Sequence, residues 1–135
     1  VIAIRRAANL VDAGPLLARA LRFDTGGTGG QVDDLVRGCL VFELLDGDCV
    51  VGAFAVQAAD YSDGRVLTVT AAGGLPGFDL VGAMDAWMTL QAAGPAGARA
   101  LTCTTRRPGL VRKLQKAGYH VAGYVLRKDV KYGIT

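Results

Sequence analysis

One histidine, one serine and one glutamate stand among 135 residues, and these scarcities exclude much chemistry before any motif is considered. A Ser, His and Asp relay would have to use His120 and Ser62, and Ser62 sits in a polar turn, so hydrolysis by that route is excluded. His120 begins a strand beside a turn and reads as an exposed residue. The three cysteines, Cys39, Cys49 and Cys103, fall in apolar strand-like runs without C-x-x-C spacing, which predicts free buried thiols and argues against metal ligands or disulfides. No uninterrupted apolar stretch approaches the roughly 20 residues that span a bilayer. No signal-peptide pattern opens the chain, and a soluble cytoplasmic protein is expected.

What is present suits one compact domain over residues 1–135, with 51% hydrophobic and 20% charged residues. Residues 1–5 alternate like a first strand. Apolar positions at Leu10, Val11, Leu16, Leu17, Ala20 and Leu21 predict a helix from Ala7 onward, bent or split at Pro15. The run 24–30 holds four glycines and reads as a mobile loop; without a lysine or an adjoining strand it is not a P-loop. A short helix at 31–37 follows. Strands at 39–45 and 49–57 flank Asp46-Gly47-Asp48, a hairpin turn, and a further strand at 65–72 follows the polar turn 60–64. After the glycine-rich stretch 73–78, Asp79 caps a helix reaching Ala93, on which Leu80, Met84, Trp87 and Met88 recur at helical spacing as core residues.

The last third is the most informative. Residues 98–104 read as a strand. Pro108 then suits the first turn of a helix, Leu110, Val111, Leu114 and Ala117 share one face, and Gly118 is placed to stop the helix in a left-handed conformation. A closing strand is predicted at 119–128. Charge is concentrated in this part too: residues 99–131 carry nine basic groups against Asp129, while the rest of the chain carries six basic and eleven acidic groups. Such an end attracts a phosphorylated ligand, a nucleic acid or an acidic partner protein, or is simply a solvated helix face.

This order, β-α-α-β-β-β-α-β-α-β, with a Gly-rich turn between the fourth strand and the third helix and a Gly-aromatic stop after the last helix, resembles the GNAT (GCN5-related N-acetyltransferase) superfamily, in particular its small phage-type members. The resemblance implies an α/β (α+β) fold with a mixed, mostly antiparallel sheet flanked by helices. It also implies N-acyltransferase activity: acetyl-CoA would be the donor, a small-molecule or protein amine the acceptor, and a homodimer paired through sheet edges an expected state. In the family the turn after the fourth strand reads R/Q-x-x-G-x-G/A and holds the pyrophosphate of coenzyme A. The corresponding residues are Ala71, Ala72, Gly73, Gly74 and Gly77, with Val69 alongside for the pantetheine arm. The glycines are kept, but no Arg, Lys or Gln stands between Arg65 and Gln91, Pro76 lacks an amide donor, and Asp79 puts a carboxylate where the pyrophosphate would sit.

The family's acidic Tyr, four residues before the Gly of the stop, corresponds to Leu114, which donates no proton, and its Asn corresponds to Arg107. Tyr119, in place of the family's usual Phe, and Tyr124 are the candidate substitute phenols; their plainer reading is a structural role. Glu43 is the candidate base that takes the proton of the attacking amine; its plainer reading is an edge-strand carboxylate paired with an arginine or facing water. The departures from the motif favour an alternative, a GNAT-fold scaffold or assembly protein whose activity is degenerate or lost. A nucleic-acid module using Arg106, Arg107, Arg112, Lys113 and Lys116 is a weaker alternative, with only Tyr119 as a nearby aromatic.

Overall fold

The computed structural model describes residues 1–20, 31–105 and 107–130. The glycine-rich run 24–30 and Arg106 lie outside the described residues.

Alternating apolar residues build five strands of one sheet in the order β1-β2-β3-β4-β5. β1 (Ile2–Arg6), β2 (Leu40–Asp46), β3 (Cys49–Tyr61) and β4 (Gly64–Gly74) pair antiparallel in sequence, and β5 (Ala98–Cys103) runs parallel to β4. The crossover between β4 and β5 contains α3 (Leu80–Ala93), as a parallel connection requires. α1 (Ala13–Ala18) and α2 (Val32–Leu35) connect β1 to β2, and α4 (Pro108–Lys116) follows β5.

Each face of the sheet buries its own core. On one face the small residues Ala53, Ala55 and Ala71 let α1 and α2 come close, so that Leu16, Leu17 and Leu35 pack directly on the strands. The approach is tightest at Gly73, where a β-carbon would collide with the Leu16 carbonyl oxygen. On the other face Leu44, Phe54, Val56, Leu67 and Val69 meet Met84 and Met88 of α3. Trp87 closes this core against Phe42 and Phe54, with ring centroids 4.6 and 5.8 Å away. The methionines and the tryptophan of α3 are thus core residues, as their spacing predicts.

Four expectations change. The first helix is short, because the Asn9 side chain accepts a hydrogen bond from Val11 N at 3.0 Å and holds residues 9–11 in a turn, and Pro15 falls in the first turn of α1 instead of splitting it. Gly73 and Gly74 belong to β4, paired with Ala53 and Gly52, so the turn before α3 shrinks to 75–79. Cys49 is exposed, whereas Cys39 and Cys103 are partly buried; all three are free. The closing strand does not form: residues 119–130 are irregular, with Tyr124 and Leu126 about nine-tenths exposed. Strand propensity without a ladder partner does not make a strand.

Candidate functional site: a cleft where two parallel strands part

The β4–β5 ladder runs from Arg65↔Ala98 to Val69↔Cys103 and ends there. β4 continues to Gly74 on its β3 side, but Thr104 and Thr105 lead the other chain away into α4. The pairing of β3 and β4 also slips between Ala55 and Val56, which makes Thr70 an extra residue in β4. A bulge of this kind bends the strand and re-aims the residues beyond it. Together these features open a cleft between Val69, Thr70, Ala71 and Ala72 on one wall and Cys103, Thr104 and Thr105 on the other. Arg107 and Leu110 of the α4 entrance and Ala20 after α1 form its rim. It encloses about 60 Å³, far below the several hundred Å³ that take up a whole drug-sized ligand, so only the reactive end of a longer molecule would enter.

Local sequence explains the lip formed by α4. Thr105 Oγ1 accepts a hydrogen bond from Arg107 N at 3.1 Å, Pro108 starts the helix, and Leu114 is buried. Gly118 stops it at φ +99°, while Tyr119 N donates to Leu114 O at 3.0 Å. This stop turns the Tyr119 side chain toward Asp85 of α3 and Cys103 of the cleft wall. Burial first, and then the Asp85 carboxylate, push the Tyr119 phenol well above its usual range. Burial likewise pushes the Cys103 thiol up to about 11. At neutral pH both keep their protons, so Tyr119 is a donor and Cys103 is a poor nucleophile.

Beyond the end of β4, Asp79 caps α3 with its side chain, accepting from Gly82 N at 3.0 Å. The amide that would face a phosphate therefore already holds a carboxylate. Gly77 lies in the open turn at φ +92°, with nothing within 4 Å of where a β-carbon would project, and Gly74 is packed beneath Leu80. Arg19 donates from Nη1 to Gly74 O at 3.1 Å and so brings a guanidinium beside this turn from α1. Nothing in the sequence places Arg19 there, because the contact spans 55 positions; Asp85 is missed for the same reason.

The remaining candidates lie elsewhere. Glu43 is 4% exposed and accepts from Arg5 Nε at 2.9 Å, the arginine pairing of its plainer reading. It lines a separate depression with Arg6, Asn9 and Asp12, ahead of α1, whereas the cleft lies past the end of α1. Along one row of the sheet Glu43 pairs with Ala53 and Ala53 with Gly73, which puts about 10 Å and the packed helix α1 between Glu43 and β4. Tyr124 is 90% exposed on the irregular end of the chain. Among the described residues the cleft thus gathers Val69, Ala71, Ala72 and Arg107, with Tyr119 beside Cys103, and leaves out Gly73, Gly74, Gly77, Glu43 and Tyr124.

No family model matches the sequence, and no curated protein matches it. Solved structures do match. A ribosomal-protein-alanine N-acetyltransferase from Brucella melitensis is 16% identical and superposes with a TM-score of 0.69, covering 98% of this chain and 100% of its own. A predicted acetyltransferase from Clostridium acetobutylicum, solved with acetyl-CoA, is 12% identical with a TM-score of 0.65, covering 96% of each chain. The chain has the GNAT fold. A transcriptional regulator from Bacillus halodurans superposes equally well, at a TM-score of 0.67 with 15% identity, covering 96% of this chain and 100% of its own. The GNAT fold as such therefore leaves open what this chain does with its cleft.

Proposed function

We propose that this chain is an N-acyltransferase that passes an acyl group, acetyl in the simplest case, from a pantetheine thioester to an amine. The cleft between β4 and β5 carries this reading. Its backbone groups past Val69, released from the ladder, are available to the amides of a pantetheine arm, and its volume suits the acyl thioester end. The neighbour from Clostridium acetobutylicum, with acetyl-CoA bound, supports the same assignment.

Coenzyme A fits this chain unequally along its length. The residues lining the cleft suit the thioester and pantetheine, but Asp79 occupies the α3 amide that would face the diphosphate. Holding reactants together supplies most of the rate in such a site. The amine attacks the thioester carbonyl directly, because Cys103, protonated up to about pH 11, does not take the acyl group first. Tyr119, protonated at neutral pH, relays the proton: it donates to the departing sulfur and takes one from the attacking amine nitrogen. No carboxylate or histidine lines the cleft among the described residues, so the ammonium of the acceptor gives its first proton to water. The acceptor is a small-molecule or protein amine, and the working form is a homodimer.

Release of free thiol from the acetyl thioester of N-acetylcysteamine, in the presence of amines, tests the reading. Leu110→Trp, which fills the rim of the cleft, should lower that rate at least about tenfold without changing the melting temperature. Absence of both thiol release and thioester binding in the parent would favour the scaffold reading, for which Asp79 at the phosphate position is the supporting observation.

A further inference from the structure

Pantetheine thioesters occur in two chemical forms. In one the phosphopantetheine is extended by an adenosine nucleotide, giving a diphosphate; in the other it is a single phosphodiester on a serine of an acidic carrier protein. We propose that the acyl donor of this chain is the second form, a thioester on an acidic carrier protein that docks along α4. The inference rests on the acyltransferase reading and adds the identity of the donor.

Three observations carry it. First, the diphosphate end has a poor place: Asp79 holds the α3 N-terminus, and the sequence has no basic residue between Arg65 and Arg99. Arg19 offers one guanidinium nearby, already engaged with Gly74 O. Second, α4 presents the opposite electrostatics. Its sequence PGLVRKLQK contains no acid, and Arg112, Lys113 and Lys116 are exposed, with no ion pair to any described residue. With Gly109 they fall at i, i+3, i+4 and i+7, one stripe on the helix opposite the buried Leu114. Lys113 and Lys116 suit the C-terminal end of the helix dipole, but Arg107 stands at the N-cap, where a cation opposes the dipole. Third, the helix that bears the stripe borders the cleft, since Arg107 and Leu110 at its N-terminal end line it. A carrier protein on α4 would present its arm to the gap between β4 and β5.

The chemistry balances without an oxidant or reductant. The amine nitrogen bonds to the carbonyl carbon, the carbon–sulfur bond breaks, and the proton lost by the neutral amine ends on sulfur. The products are the amide and the carrier protein with a free thiol.

Calorimetry on the intact chain compares four acetyl donors: the N-acetylcysteamine thioester, acetyl-phosphopantetheine, acetyl-CoA and a bacterial acyl carrier protein bearing an acetylated arm. At about 50 mM salt the carrier should bind at least about tenfold more tightly than acetyl-CoA, and at about 500 mM that margin should vanish. Combined Arg112→Glu, Lys113→Glu and Lys116→Glu should remove the margin while leaving the N-acetylcysteamine thioester affinity and the melting temperature unchanged. The milder Arg112→Gln, Lys113→Gln and Lys116→Gln set replaces it if the charge reversal unfolds the chain. Acetyl-CoA binding as tightly as the carrier, or a margin indifferent to the α4 substitutions, overturns the proposal. A short DNA duplex that binds α4 more tightly than the carrier overturns it in favour of a nucleic-acid surface. If the N-acetylcysteamine thioester binds and the carrier does not, only the donor assignment falls; if no thioester binds, the acyltransferase reading falls as well.

Discussion

A β-carbon on Gly73 would run into the Leu16 carbonyl oxygen, a backbone atom that has no rotamer with which to yield. Gly73→Ala should therefore push α1 off the sheet and cost about 3 kcal/mol, the upper end of the overpacking range, read as a lower urea midpoint at an unchanged slope. Cys103 governs a different response at the same scale. Its thiol ionises from about pH 9 in the unfolded chain but only near 11 in the fold, where burial disfavours the thiolate. The protonated form is the one folding prefers, so stability is intact below pH 9 and falls as pH rises toward 11, by about 3 kcal/mol across that window. Tyr119, raised for related reasons, adds a further loss that starts near its ordinary value of 10. Urea midpoints at about pH 8 and pH 10.5 check this: Cys103→Ala should lose less between them than the parent. An equal loss in both would place the alkaline sensitivity elsewhere.

Helix ends decide how the cleft meets a ligand. Asp79 is a good N-cap and a poor neighbour for a phosphate, for one reason: its carboxylate already occupies the amide at the positive end of α3. Asp79→Asn keeps an acceptor for Gly82 N and removes the charge, so the helix should persist while acetyl-CoA binds more tightly than to the parent. Calorimetry reads both affinities, and weaker binding in the variant would show that the diphosphate lies away from α3. The cap at Asp79, the start at Pro108 and the stop at Gly118 are all legible in sequence, because each depends on a residue and its immediate neighbours. The length of α1 and the assignment of Gly73 and Gly74 to β4 are not, since Asn9 turns the chain early and the glycines serve a helix that crosses above them.

Across the whole molecule two unsatisfied features belong to one chain. Among the described residues β5 pairs only with β4, leaving its other edge without a strand, and residues 119–130 carry Val121, Tyr124, Val125, Leu126 and Val130 exposed without a ladder. Open edges and exposed apolar runs both favour association. A homodimer in which these regions are covered should appear by light scattering at twice the 14.0 kDa chain mass, and Leu126→Lys with Val125→Lys should shift it toward monomer. A parent that remains monomeric at high concentration would remove the dimer from the proposed function.

The sequence by itself determined the element types from β1 to α4 and their GNAT-like order. Residues 98–103 form the strand that their apolar pattern predicts, because periodicity and turn chemistry act over a few residues. It also carried the missing phosphate motif and the basic charge of α4. Only the tertiary structure decided that Glu43 lies behind α1 paired with Arg5, that Tyr119 meets Asp85 and Cys103, that Arg19 reaches Gly74, and that residues 119–130 lack a strand partner. Each depends on segments far apart in the chain, whose meeting is set by which faces the sheet buries and where two strands stop pairing, quantities that no local pattern contains.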